Sequence, residues 1–188
     1  MKTNTILTLL VAGAMSFTAC TKKIDEKTMA EINQFGTDWT ALGEKAANWS
    51  AELMQTTAKA KEFAAQQTAM MSSMANSKDH AMMTKMNEMT SMANQDASKL
   101  EGMQNEWNGF KTTWDETTKQ FSEWNAKVVK GEVTPEETMK GLADFKTKMS
   151  DAQSKIETWS TAYSETKTSC EQNMAMAGSM MPNTENKK

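Results

Sequence analysis

The sequence predicts an all-α protein, an elongated antiparallel three-helix coiled-coil bundle running up-down-up, and three observations predict it. The chain is rich in Ala, Met, Lys, Glu and Gln and poor in Val, Ile and Tyr, a composition that favours helix over strand. Its bulky apolar residues recur every 3.5 residues on average, the spacing of a left-handed helical seam. Its two prolines, Pro135 and Pro182, both lie late in the chain, so nothing of that kind interrupts helix before residue 130.

The first helix is expected over residues 25–76. Alternating steps of four and three pick out Ile32, Phe35, Trp39, Leu42, Ala46, Trp49, Leu53, Thr56, Ala60, Phe63, Gln67, Met70 and Met74. The second, over residues 80–130, carries Met82, Met86, Met89, Ala93, Asp96, Leu100, Met103, Trp107, Phe110, Trp114, Thr117, Phe121, Trp124 and Val128. The third, over residues 135–177, carries Leu142, Phe145, Met149, Ala152, Ile156, Trp159, Tyr163, Thr166 and Cys170. Every tryptophan, and every phenylalanine after Phe17, falls on this seam, so these rings read as core before they read as a ligand platform.

The connections are short and specific. Asn76-Ser77-Lys78-Asp79 is polar, and Ser77 or Asp79 can cap the second helix. Gly131 can end that helix, and Thr134-Pro135-Glu136-Glu137 supplies a cap, a first-position proline and a capping-box glutamate for the third. Folding the chain at these turns puts Phe35 with Phe121 and Phe145, Ile32 with Trp124 and Leu142, Ala46 with Phe110 and Ile156, and Leu42 with Trp114 and Ala152. The result is one bundle over residues 25–177, a rod roughly 75 Å long that is similar in layout to a spectrin repeat, with a disordered tail over residues 178–188. Gly36 with Gly43 and Gly102 with Gly109 repeat at seven residues, which suits close approach beside indole rings. Association into a larger bundle is compatible with the pattern but not required by it.

Ahead of the helices stand Lys2, an apolar run from Ile6 to Ala14, and small residues leading to a cysteine. Residues 1–19 therefore read as a signal peptide outside the fold, too short in its apolar part to span a bilayer permanently. The segment Phe17-Thr18-Ala19-Cys20 resembles the lipobox of bacterial lipoproteins, with Phe17 in place of the more usual leucine. The resemblance implies cleavage before Cys20, a thioether-linked diacylglycerol and an amide-linked acyl chain, with residues 20–24 as a tether. It also implies export to the cell envelope, and Thr21 after the cysteine favours the outer membrane, facing the periplasm or the cell surface. An ordinary secretory signal that leaves Cys20 a free thiol is the alternative. With Cys20 acylated, only Cys170 remains, and no internal disulfide can form.

Composition narrows function. The chain has one histidine, no arginine and a formal net charge of −3, so it lacks the basic stripe of a nucleic-acid binder. No nucleophile has a base beside it, and no glycine-rich loop could hold phosphate, so an enzyme is not expected. Methionine stands out. Met70, Met71, Met74, Met82, Met83, Met86, Met89 and Met92 flank the first turn, with His80 within it, and Met174, Met176, Met180 and Met181 return to the same end in an up-down-up chain. The segments Met70-Met71-Ser72-Ser73-Met74 and Met82-Met83-Thr84-Lys85-Met86 resemble the methionine-rich segments of periplasmic copper-handling proteins.

The seam accounts for Met70, Met74, Met82, Met86 and Met89 as adaptable core fillers, but not for Met71, Met83, Met92, Met174 and Met176. The expectation is a non-enzymatic, lipid-anchored envelope protein, a structural or protein-binding rod that needs no cofactor and meets an envelope partner. The alternative is a Cu(I) or Ag(I) binder using Met71, Met74, His80, Met83, Met86, Met92, Met174 and Met176. His80 on its own reads as a solvated turn residue, and Asp96 near Cys170 as an imperfect polar layer that fixes register.

Overall fold

A computed structural model describes residues 24–74 and 77–180. Three helices, α1 (Glu26–Ser73), α2 (His80–Lys130) and α3 (Pro135–Met180), pack as a helical bundle, and no strand occurs among the described residues.

Each helix begins where its sequence supplies acceptors for orphan amides. Asp25 caps α1, its carboxylate accepting from the Thr28 amide at 2.8 Å and the Thr28 hydroxyl at 2.9 Å. Asp79 caps α2 by accepting from the Met82 amide at 3.0 Å. At α3, Thr134 and Glu137 cap reciprocally: the Thr134 amide donates to Glu137 at 2.8 Å and the Glu137 amide to the Thr134 hydroxyl at 3.2 Å. Donation by the Thr28 and Thr134 amides, then by their hydroxyls, holds the Asp25 and Glu137 carboxyls below the usual carboxylate range. Gly131, at φ 70° and ψ 25°, ends α2 in the left-handed conformation, with Lys127 and Lys130 in the last turn beside the negative end of the helix dipole.

Two helix ends differ from the sequence expectation. Helix α1 stops at Ser73 rather than at 76, because the Met74 amide is shared between the Met70 and Met71 carbonyls and the chain leaves the helical ladder there. Helix α2 begins at His80 as expected, so His80 is the exposed first residue of that helix rather than a turn residue. Helix α3 runs three residues past its expected end of 177, so residues 178–180 are helix and not tail. The reason is burial: Asn173 and Ala177 extend the inward stripe, and the Ser179 hydroxyl donates to the Met176 carbonyl at 2.7 Å. The remainder of the expected tail, residues 181–188, and the signal peptide and Cys20 lie outside the described residues.

The core forms two clusters. One joins the start of α1, the end of α2 and the start of α3 through Ile32, Phe35, Trp39, Phe121, Val128, Leu142 and Phe145, with Trp124 packed against it. Here the expected layer of Phe35, Phe121 and Phe145 occurs, with ring centroids 4.9, 6.3 and 5.3 Å apart. The other cluster contains Ala46, Trp49, Leu53, Leu100, Trp107, Ile156 and Tyr163, with Phe110 and Leu42 against it. Trp49 meets Trp107 edge-on at 5.5 Å and stacks on Trp159 at 6.0 Å.

Two details of the seam were not anticipated. In α1 the inward positions become Thr57 and Ala64, leaving Thr56 and Phe63 half-buried, because an ideal helix drifts from a strict 3.5-residue repeat. Trp114 stacks on Trp39 at 3.9 Å, a pairing the layer assignment did not include. It lies where a Cβ at Gly43 would come within 3.3 Å of the indole, so the missing side chain opens the space that the ring fills.

The glycine pattern is correspondingly half right. Gly43 serves close approach, whereas Gly102 and Gly109 face open space, and Gly141, which the spacing did not single out, has the tightest requirement. A Cβ there would fall 2.5 Å from Trp124 Nε1, on a ring confined by Phe121 and Phe145. Gly141→Ala is expected to destabilise the bundle by about 1–3 kcal/mol through overpacking. Gly109→Ala should stabilise it by about 0.5–1 kcal/mol by restricting the unfolded chain and improving helix propensity. Thermal unfolding followed by circular dichroism separates the two, and equal effects would remove the packing role given to Gly141.

Candidate functional site

The seam carries buried polar residues of two kinds. Thr57, Thr117, Thr138 and Thr166 are buried, and each hydroxyl donates to the carbonyl four residues earlier at 2.7–2.9 Å. Their polarity is satisfied within their own helix and asks nothing of a neighbour. Asp96 differs, because its carboxylate has no such local partner.

Asp96 is buried in α2, and its Oδ2 accepts from two residues of α3, the Ser169 hydroxyl at 2.9 Å and the Asn173 side-chain amide at 2.8 Å. Small residues of the same cluster, Ala60, Ala64, Ala93 and Ala97, and the buried Cys170 occupy this stretch of the bundle. Burial, then the Asp96 charge and hydrogen bonding to it, push the Cys170 thiol from 9.0 up to about 11, so it stays protonated and a poor nucleophile at neutral pH. Asp96 and Cys170 therefore form a cross-helix polar layer rather than a reactive pair. The sequence singled out both, but missed Ser169 and Asn173, which look like ordinary polar helix residues until α3 is placed against α2.

The methionine candidates divide by exposure. Met86 is buried with Met89, so it acts as core. Met71, Met74, Met83 and Met174 are half-buried, and Met92, Met176 and His80 are exposed. Gln67 near the end of α1 and Thr90 of α2 are neighbours, the Thr90 hydroxyl reaching the Gln67 carbonyl at 3.5 Å, and the buried Gln67 Oε1 itself has no hydrogen-bond partner. Met174 lines a groove of about 430 Å³ with Tyr163, Cys170, Thr56 and Lys59. Among the described residues no three His, Cys, Asp or Glu side chains gather in a cluster able to hold a metal, so a metal here would rest on thioether sulfurs.

A larger open groove of about 860 Å³ runs between α2 and α3, floored by Phe110, Trp114 and Trp159. On one edge Glu106 accepts from Trp159 Nε1 at 2.7 Å, which orients the indole, and Lys148 donates to Gln120 at 3.1 Å across the groove. Among the described residues no helix is long and apolar enough to cross a membrane. No family model matches the chain, and no curated protein or solved structure is significantly similar to it.

Replacing Asp96 alone leaves the half-buried Ser169 and the buried Asn173 without their acceptor. Asp96→Ala is expected to cost about 2–4 kcal/mol, since each orphaned donor costs about 1–3 kcal/mol and a small void adds to it. Combining Asp96→Leu with Ser169→Ala and Asn173→Leu should recover most of that loss or exceed wild-type stability. Urea denaturation checks this, and a triple variant as unstable as the single one would show that the hydrogen bonds are not the source.

Cys170 gives a separate pH signature. The unfolded thiol ionises near 9.0 and the folded one near 11, so its contribution is whole below pH 9.0 and is lost as pH rises to about 11. Cys170→Ala should flatten that part of the stability profile.

Proposed function

We propose that the mature chain begins at an acylated Cys20 and presents an antiparallel, up-down-up coiled-coil rod in the cell envelope, where it serves as a non-enzymatic structural or protein-binding module. The observation that carries this reading is the N-terminal pattern: Lys2, the apolar run, and Phe17-Thr18-Ala19-Cys20 directly ahead of the first helix. Residues 6–14 form a nearly continuous apolar run rather than a one-sided stripe, a pattern that suits a signal peptide better than the helical seam.

Contact order supports the rod. Phe35 meets Phe121, Trp49 meets Trp107 and Lys61 pairs with Glu101, so positions fall along α2 as they rise along α1. Phe35 with Phe145, Trp49 with Trp159 and Thr56 with Tyr163 rise together along α1 and α3. That progression is what opposite and like chain directions produce. It also supports convergence of the methionines of α1, α2 and α3 at the end remote from Cys20, where unbranched thioethers offer a partner an adaptable surface.

One observation favours a second reading, a soft-metal binder: Met92 and Met176 are exposed and Met71, Met83 and Met174 half-buried, so packing does not account for them. Anaerobic Cu(I) titration of residues 21–188 decides it. Saturable binding lost on replacing these five with Leu, with helicity kept, would establish a metal site; no binding would leave them as contact residues.

The anchor reading predicts that Cys20→Ser moves the protein from the membrane fraction to the soluble fraction and removes acyl mass from the mature N-terminus. Retention of the variant in membranes would refute it. Small-angle scattering should give a longest dimension of roughly 75–80 Å, from 51 residues of α2 rising 1.5 Å each.

A further inference from the structure

The end of the bundle that carries the start of α1 exposes two large apolar side chains beside a partly buried apolar rim. Val129 is 58% exposed and Met139 61% exposed, although each directly follows a buried residue, Val128 and Thr138. Ile24, Met29 and Val133 are half-buried and pack on the same cluster as Val128 and Leu142. The start of α1, the end of α2 and the start of α3 thus bring five apolar side chains to one end. Exposed apolar residues scattered singly need no explanation, but a concentrated set does.

Charge at this end is mixed. Lys27, Lys127, Lys130 and Lys140 stand near Asp25, Glu26, Glu132, Glu136 and Glu137. Asp25 and Glu137 are already tied to the helix starts that they cap. The end is therefore suited to an apolar or zwitterionic surface rather than to a strongly anionic one.

Chain length limits what can cover it. Ile24 is packed against the core cluster, and Thr21–Lys23 alone separate it from Cys20. Four residue steps reach at most about 14 Å when fully extended, while the polar zone of each leaflet is roughly 5–8 Å deep. A lipid on Cys20 leaves this end face no room to stand clear of the headgroups by more than a few side chains.

We propose that this end is a membrane seat: with Cys20 acylated, Val129, Met139 and the apolar rim around Ile24 rest in the headgroup region of a lipid bilayer. The inference rests on the lipid-anchor reading above. A contact of a few side chains is too weak to hold the protein by itself, and the tether makes it effective by keeping it at high local concentration. The seat sets the orientation of the bundle on the membrane, which a flexible tether would leave free.

The test uses the full acylated chain, purified from bacterial membranes and reconstituted into phosphatidylcholine vesicles. Single environment-sensitive dyes are placed through Val129→Cys, Met139→Cys or, as a control on the same bundle, Met54→Cys, where the native side chain is 57% exposed. Cys170 does not compete for label, since it is buried and protonated at neutral pH. The seat predicts blue-shifted emission and several-fold stronger quenching by headgroup-labelled nitroxide lipid at positions 129 and 139 than at 54, unchanged by high salt. Equal quenching at all three positions in protein that floats with the vesicles overturns the seat and leaves the anchor standing. Protein that does not float overturns the anchor, and the seat falls with it.

Discussion

The core of this bundle is only about three side chains across, so its stability depends on rings of different size meeting at matched levels along three helices. Phe35, Phe121 and Phe145 fill one level and Trp49, Trp107 and Trp159 another, and among the described residues no disulfide shares the task. Each ring pair adds about 0.5–1.5 kcal/mol beyond its buried area, but the larger effect is selective. Sliding one helix by seven residues would preserve the apolar pattern while setting smaller seam residues such as Leu42, Thr138 or Ala152 where a ring now meets its partners. The unequal sizes, rather than the repeat itself, exclude those alternatives. Gly43 and Gly141 are the negative images of the same constraint, each leaving room for an indole from a neighbouring helix.

The polar residues reinforce this selection where rings run out. Buried threonines that bond their own helix are neutral towards register, because their partners move with them. Asp96 is not neutral, since its acceptor sites are met only when Ser169 and Asn173 stand opposite. In a stretch otherwise built of Ala60, Ala64, Ala93 and Ala97, where helices could slip with little change in packing, that requirement replaces the missing bulk. The arrangement costs stability relative to an apolar layer and gains uniqueness of alignment, which matches its position in the most uniform part of the core.

What could be read from the sequence follows from how local each determinant is. The caps at Gly131 and Thr134–Glu137 depend on four or five consecutive residues and were legible in full, while the cap of α2 was legible as a choice between Ser77 and Asp79 that the structure gives to Asp79. The layer of Phe35, Phe121 and Phe145 was legible because two short turns fix the alignment of three helices. The shift to Thr57 and Ala64 was not, because a small angular drift accumulates over many turns before one position replaces its neighbour. The partners of Asp96 and the seat of Trp114 were hidden for another reason. They depend on which flank of one helix faces another, a three-dimensional choice that spacing alone leaves open. The seam separated the methionines of α2 in part: Met86 and Met89 are buried and Met92 is exposed, as the spacing predicts, whereas Met82 and Met83 are both half-buried although only Met82 lies on the seam.

The two ends of the bundle consequently differ in mechanical character, and that difference bears on any role as a binding module. Near residues 24–50 and 107–145 the core consists of large rings with few rotamers, so a local opening there exposes much apolar area at once. Towards residues 64–97 and 166–177 it consists mainly of alanine, methionine, Cys170, a buried carboxylate and the unpaired Gln67 Oε1, and an opening there exposes less. If the proposed anchor holds the bundle at its ring-filled end, the far end can yield without loosening that hold. Adaptation to a partner then needs only the methionine-bearing turns to repack, which thioether side chains do at low rotameric cost. On this argument the polar layer at Asp96 has a second consequence: it marks where the yielding part of the bundle begins, because beyond it packing no longer enforces alignment and hydrogen bonding must.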